Sequence, residues 1–399
     1  MGTAHPPWDV VVLGAGAAGL YAGIEAARRG RRCLVIDGAR KPGEKIRISG
    51  GGRCNVTNLN VARATIPERF LSRNPRFALS ALSRHTARDF LARFEAAGLS
   101  WTEKALGQLF CATFARDVVA WLVRDLAAAG ATLRLGTVVH GVEGAGPFTV
   151  RTDGGDMAAA RVIVATGGLS IPKMGATDIG YRIARAHGVP LTDTRPALVP
   201  LTFAGAPLEE MAALAGTAVE GAVACGRARF RDGLLFTHRG LSGPSVLQAS
   251  SYWREGEAVA IDLAAGAEVG ASLAAERRRA GRVAPATALA RLVPERVARA
   301  AVARAGLRGT LADQGNAALA RLNAAVHDWQ VVPQGTEGYR TAEVTLGGVD
   351  TDALDPRTME ARAVPGLHFV GEVVDVTGWL GGYNFQWAWS SGWVAGQSV

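Results

Sequence analysis

The sequence predicts an α/β protein whose nucleotide-binding domain is interrupted by an insertion. Three apolar runs carry that prediction: Val10–Leu13 before a glycine-rich loop, Val162–Ala165 before Thr166-Gly167-Gly168, and Leu367–Val370 before Gly371-Glu372. Short apolar runs ending in small residues suit buried parallel strands, and α/β sheets bind nucleotides just beyond the carboxyl ends of such strands.

The first run lies in "WDVVVLGAGAAGLYAGIEAARRGRRCLVID", which reads as strand, turn, helix and second strand. Gly14, Gly16 and Gly19 have the GxGxxG spacing, an Ala-rich helix follows to Gly30, and Cys33–Ile36 is the next strand, closed by Asp37-Gly38. Gly14 permits the tight turn, Gly16 lets a pyrophosphate approach the backbone, and Gly19 lets helix and strand pack closely. Free N–H groups at Ala17 and Ala18, with the positive end of the helix, attract phosphate. Asp37 is placed to accept hydrogen bonds from an adenosine ribose. In this context the motif specifies a dinucleotide without choosing between NAD and FAD.

The two later runs point to FAD. In "ATGGLSIPKMGATDIGYRIARAHG", Thr166, Gly167 and Gly168 let the chain pass close to a ligand at the sheet edge. In "PGLHFVGEVVDVTGWLGGYNFQWAWSSGWVAGQ", Glu372 after Gly371 is placed to hold a ribityl hydroxyl or a water beside the pyrophosphate. Gly381-Gly382 then opens a Trp- and Ala-rich helix. Its N-terminus, Tyr383, Asn384, Phe385 and Gln386, is expected at the flavin N1–C2 edge, where negative charge develops on reduction. A helix that only packs the core would explain Trp387 and Trp389 but leave the glycine pair without a reason.

The GAGAAG loop, KIRISGGGRCNVTN, EKALGQLFC, ATGGLSIPKMGATDIGY, LLFTHRGLSGPSVLQASSYW, AEVTLGGVD and VGEVVDVTGWLGGYNFQWAWSSG occur in that order. Over nearly its whole length the chain thereby resembles the YhiN-like flavoproteins, the group that includes BaiN-type proteins and aminoacetone oxidase. A more distant likeness is to the fumarate reductase and aspartate oxidase group. The resemblance implies a discontinuous Rossmann-type FAD-binding domain with an inserted β-barrel subdomain and a helical cap. It also implies that Ser49 to Asn55 form a second loop along the cofactor, with Gly50, Gly51 and Gly52 offering backbone N–H groups in place of side chains. Arg53, Asn55 and Thr57 would bond cofactor or neighbouring backbone. Lys45 and Arg47 would add charge to the diphosphate, a solvent-facing Arg47 being the other reading. Cys54 reads either as a small packed residue or as a redox-active thiol near the flavin.

The expected boundaries are 1–190 with 340–399 for the FAD-binding domain, 191–265 for the β-barrel and 266–339 for the cap. "ALVPLTF", "TAVEGAVACGRARFRDGLLFTH" and "AVAIDL" supply strand patterns, whereas "AAERRRAGRVAPATALARLVPERVARAAVARA" has helical periodicity. Substrate sites in such proteins lie where an inserted domain covers the flavin ring. The candidate loop is "LLFTHRGLSGPSVLQ", in which His238 would exchange a proton near neutral pH and Arg239 would anchor a carboxylate or carbonyl. The other reading has both residues tying the loop down. Tyr383 and Asn384 are rival proton donors or flavin contacts. No metal-ligand spacing is present, so no metal is expected.

Composition bounds the rest. The 399 residues are 48% hydrophobic and carry a net charge of +9, nearly all of it from arginine spread along the chain, so neither a membrane nor a nucleic acid is expected as partner. The four cysteines, Cys33, Cys54, Cys111 and Cys225, suggest reduced thiols in a cytoplasm, and "MGTAHPPWDV" lacks the pattern of a secretory signal. A single GxGxxG leaves NAD(P)H as a transient reductant in the substrate cleft, or with no role. The expected activity is hydride transfer between flavin N5 and a small organic substrate. The BaiN-type likeness implies reduction of a C=C bond with NAD(P)H; the aminoacetone oxidase likeness implies oxidation of an amine or amino ketone by oxygen. The alternative from another class is a flavin-containing, RNA-associated or regulatory protein without small-molecule turnover.

Overall fold

The computed structural model describes residues 8–399; residues 1–7 of the N-terminal stretch read above lie outside them. The chain divides into two units, one running to Arg195 and resuming at Val344–Val399, the other Pro196–Glu343.

The first unit is built on a mixed sheet. Strands β1 (Trp8–Leu13), β2 (Cys33–Asp37) and β3 (Thr132–Leu135) run parallel in the spatial order β3-β2-β1. On the other side of β1 lies the long β4 (Met157–Val164), whose C-terminal half pairs in parallel with β5 (Leu367–Phe369). Its N-terminal half pairs antiparallel with Phe148–Thr152, which completes a meander with Val139–Glu143. Chain order reverses between β1 and β4, and that reversal makes the crevice where such sheets hold nucleotides. Val10 to Leu13 are fully buried because helices cover both faces of a parallel sheet.

Two helices set the nucleotide end. α1 (Ala17–Arg28) starts directly after the glycine loop and stops where Gly30 takes a positive φ of 78°. α2 (Tyr383–Ser398) crosses it so closely that a Cβ on Gly392 would lie 2.5 Å from the Ala18 carbonyl, and one on Gly396 2.6 Å from that of Ala22. Trp387 and Trp389 are buried, their indole N–H groups donating to the carbonyls of Gly371 (3.0 Å) and Val56 (2.8 Å). Burying each ring contributes about 4–6 kcal/mol by area, an upper bound. A small antiparallel sheet, in the order Asn55–Asn58, Gln108–Cys111, Trp101–Glu103, places the SGGGRCN loop beside the start of α2.

The second unit is a seven-stranded antiparallel sheet with a helical segment. The hairpin Ala218–Cys225 with Ala228–Thr237 is its centre, and its two edge strands, Trp329–Val331 and Gly335–Thr336, are neighbours in the chain. Helices Val269–Ala280, Pro285–Leu289, Glu295–Arg304 and Asn316–His327 come between the strand Val259–Asp262 and those edge strands. No described helix is long and apolar enough to cross a membrane.

Candidate functional site

The site of the first unit assembles from five groups of residues around the carboxyl ends of the parallel strands. At the first, a Cβ on Gly14 would sit 2.4 Å from the Ala165 carbonyl, and one on Gly19 1.9 Å from the Gly14 carbonyl. These two glycines serve backbone packing between β1, β4 and α1. Gly16 differs: its backbone is extended (φ −82°, ψ −168°), and nothing lies within 4 Å of where its Cβ would be. No side chain caps α1, so the first-turn N–H groups, Ala17 and Ala18 among them, face that open space unsatisfied.

At the end of β2, the Asp37 carboxylate accepts from the backbone N–H groups of Ala15 (2.7 Å) and Ala39 (2.8 Å). It stands beside the glycine loop as expected, with lone pairs left for ribose hydroxyls. Gly38 packs near Val138 and adds no further polar group.

The third and fourth groups meet in a cluster that joins Lys45 and Glu372, two residues the sequence reading treated separately. Lys45 Nζ donates to Glu372 Oε2 (2.9 Å) and to Ser170 Oγ (2.7 Å); Ser170 Oγ donates to Glu372 Oε1 (2.9 Å). The Thr345 N–H also donates to Glu372 Oε1 (2.9 Å). Lys45 therefore neutralises Glu372, and the carboxylate accepts from three protein donors, while both side chains keep part of their surface exposed. The pair ties the loop after β2 to those after β4 and β5. A Cβ on Gly168 would fall 2.5 Å from Thr345 Oγ1, so this glycine is required by the cluster, whereas Gly167 borders open space. Thr166 Oγ1 is buried with no hydrogen-bond partner. Gly371 gives its N–H to Ser391 Oγ (3.0 Å) and so anchors the turn to α2.

The fifth group is the SGGGRCN loop and the start of α2. Ser49 Oγ donates to the Ile46 carbonyl, Gly50 lies under the Phe110 ring, and Gly51 and Gly52 border open space. Arg53 is exposed and reaches the Ala112 carbonyl at 3.4 Å, while Arg47 donates to the Pro42 carbonyl. Thr57 donates to Gln386 Oε1 (2.6 Å). Asn55 is buried, its amide nitrogen serving the carbonyls of Thr57 and Leu109 and its oxygen the Gly382 N–H, so it bonds backbone. Cys54 is fully buried, and burial pushes its thiol up to about 12, which favours the packed-residue reading over a redox thiol.

The glycine pair has a packing reason that sequence reasoning missed. A Cβ on Gly382 would lie 2.4 Å from the Thr57 carbonyl, and one on Gly381 2.8 Å from the Gln108 side chain. Asn384 is likewise committed: its Oδ1 accepts from the Gly378 N–H (2.8 Å) and its Nδ2 donates to the Gly378 carbonyl (2.9 Å). Phe385 stacks on Trp389 at 5.7 Å. Tyr383 is the member of this group with chemistry to spare. Its hydroxyl accepts from Arg69 Nη1 (2.8 Å), a residue the sequence reading did not single out. Burial raises the Tyr383 pKa, with Arg69 opposing it, so the phenol keeps its proton at neutral pH.

His238 and Arg239 belong to the second unit. Both are exposed at the turn between Ala228–Thr237 and Gly240–Ser242, and Arg239 lies 3.8 Å from Glu337. Among the described residues there is no cluster of His, Cys, Asp or Glu suited to a metal ion.

The open ground over Gly16, Gly51, Gly52 and Gly167, the unsatisfied first turn of α1 and the acid at the end of β2 fit an extended dinucleotide. Gly16, Ala17 and Ala18 would hold its pyrophosphate and Asp37 its ribose. Comparison with known proteins agrees. The model of the HI0933-like protein Rossmann domain matches residues 8–398. A protein of Escherichia coli K12 named ribosomal RNA dihydrouridine synthase is 46% identical over 402 residues, covering 98% of both chains. The 3-dehydro-bile acid delta(4,6)-reductase of Clostridium scindens is 29% identical over 406 residues, covering 97% of this chain and 98% of its own. Among solved structures, the 3-ketosteroid-delta4-(5alpha)-dehydrogenase of Rhodococcus jostii RHA1 shares the fold with a TM-score of 0.52 at 15% identity, covering 99% of this chain and 98% of that one. With a family model spanning almost every described residue and a cofactor cradle to match it, the chain belongs to the HI0933-like family of Rossmann-fold, FAD-binding oxidoreductases.

Proposed function

We propose that this protein is an FAD-dependent reductase that converts uridine to dihydrouridine in ribosomal RNA. The observation that carries the reading is the 46% identity, over 98% of both chains, to a protein bearing that activity in its name. The proposal sets aside the expectation that no nucleic acid is a partner, and it favours the reductive direction over amine oxidation. The relative named as a bile-acid reductase supports the same bond chemistry, since a 3-oxo steroid alkene and the uracil C5=C6 bond are both conjugated to a carbonyl.

Reduction of uracil adds hydride at C6 and a proton at C5, because the C4 carbonyl polarises the double bond. Bound FAD supplies the hydride chemistry, and a nicotinamide is the proposed source of electrons. The chain's own part is to bind, orient and handle the proton. Gly16 and the first turn of α1 would hold the phosphates, and the Lys45–Glu372–Ser170 cluster holds three loops in one geometry. Tyr383 is the proposed proton holder: with its oxygen accepting from Arg69, its own hydrogen is left to donate. His238 and Arg239 remain candidate contacts to the base or its carbonyl.

The test is to incubate purified holoprotein with ribosomal RNA lacking the modification, under anaerobic conditions with NADPH, and then to digest and weigh the nucleosides. The reading requires one uridine to gain two hydrogens. RNA that stays unchanged while a small enone is reduced would transfer the chemistry to a small-molecule substrate.

A further inference from the structure

We propose that the exposed arginines at the C-terminal end of helix Val269–Ala280 form a docking surface for the phosphodiester backbone of RNA. This deepens, and rests on, the RNA reading given above. The helical segment of the second unit is charged differently from the sheet beside it in sequence. Residues 268–329 contain ten arginines and five acids, whereas the rest of Pro196–Glu343 contains six arginines and nine acids.

Within the helical segment the arginines fall into two groups. Arg279 and Arg291 are paired with Glu276, Arg299 with Glu295, and Arg304 with Glu210. Arg296 caps the carbonyls of Ala213 and Ala215. Arg278, Arg282, Arg308 and Arg321 are exposed and have no acceptor among the described residues, and the first three concern the end of helix Val269–Ala280.

Backbone geometry gathers these three. The Ala312 N–H donates to the Gly281 carbonyl (2.8 Å) and that of Leu311 to Val283 (2.9 Å), which staples the loop after Arg308 onto the chain around Arg282. Arg277 reaches across the same junction to the Gln314 carbonyl (2.7 Å), and Gln314 Nε2 donates to the Arg308 carbonyl (2.6 Å). Asp313, the carboxylate of this loop, is turned onto the N–H and hydroxyl of Thr310. Three free guanidinium groups on a rigid junction, with the local acid already engaged, match a polyanion with closely spaced charges, and arginine binds phosphate bidentately.

The test replaces Arg278, Arg282 and Arg308 together by Glu in the full-length holoprotein. Arg88, Arg124 and Arg185, which are exposed and without acceptors in the first unit, are replaced likewise as a control of equal charge change. RNA affinity is measured against salt, together with flavin content, NADPH-driven flavin bleaching and thermal midpoint. The expected result is that the first variant binds ribosomal RNA at least ten-fold more weakly and flattens the slope of log affinity against log salt by roughly 2, as three lost single-strand phosphate contacts require. Flavin content, bleaching and midpoint should match the parent. If the parent binds and modifies RNA and the first variant does so equally well, or if both variants weaken alike, the surface is refuted while the proposed activity stands. If the parent neither binds nor modifies RNA, the activity itself falls and this surface with it.

Discussion

Replacing Gly16 by Val separates cofactor binding from folding, because the structure gives the side chain room that only a ligand would contest. Nothing lies within 4 Å of the Cβ position, and the backbone at φ −82°, ψ −168° is open to any residue. Losing Gly at an N-cap costs up to about 1 kcal/mol. The stiffer unfolded chain returns about 0.4–1 kcal/mol. The apoprotein midpoint should therefore move by less than ~4 °C. A phosphate pushed off the loop forfeits charge-assisted hydrogen bonds from two N–H groups, each worth about 1.5–3 kcal/mol, so FAD should bind on the order of 10²- to 10⁴-fold more weakly. The assay is flavin absorbance per protein after desalting, alongside the thermal midpoint of apoprotein. Gly19→Ala is the contrast: its Cβ would lie 1.9 Å from the Gly14 carbonyl, so it should lose stability first. A Gly16→Val protein that purifies with a full complement of flavin would refute the placement of the pyrophosphate.

Four further outcomes follow. Tyr383→Phe should lower kcat by about 100-fold while leaving flavin content and KM near the parent, as loss of a proton donor predicts; an unchanged kcat would remove Tyr383 from the chemistry. A double-mutant cycle of Lys45→Met and Glu372→Gln should show a coupling of about 1 kcal/mol in thermal unfolding, the pair being only partly exposed; additivity would mean that the cluster contributes nothing as a unit. All four cysteines are buried, so a thiol reagent at pH 8 should label none of them until the protein unfolds; rapid labelling of Cys54 would contradict its packed position. His85, buried against Tyr21 and stacked on Trp393, is lowered to about 4 by desolvation first and by Arg93 second. Its folded pKa lies below the unfolded value, so it contributes stability above pH 6.5 that is lost as pH falls towards 4, about 3 kcal/mol in all. Urea unfolding of a His85→Gln variant should lack that part of the acid slope; an identical slope would show that His85 does not titrate in this window.

What the sequence made legible was local. The GxGxxG loop, the strand runs and the acid at Asp37 follow from spacing within one βαβ unit, and their geometry matches the fold. The contacts that assign roles are long-range. Lys45 and Glu372 are 327 positions apart and Arg69 and Tyr383 are 314 apart, so nothing in a local pattern pairs them. Motif reasoning gave Lys45 to a phosphate because a cation near a glycine loop usually serves one; the fold adds a carboxylate partner that no local pattern announces. The Gly381-Gly382 pair has a packing reason that was hidden for a related cause. A glycine needed for contact with a neighbouring backbone looks, in sequence, the same as one needed for contact with a ligand. Gly392 and Gly396 carried a usable signal, since small residues four apart on a helix predict a close crossing, here on α1.

The most direct test of the central claim is to reduce the bound flavin with dithionite without oxygen and then add ribosomal RNA that lacks the modification. The account predicts that the visible flavin band returns in proportion to the dihydrouridine formed, and returns more slowly in Tyr383→Phe. A band that stays bleached in the presence of that RNA, yet recovers on admitting oxygen or a small enone, would contradict it.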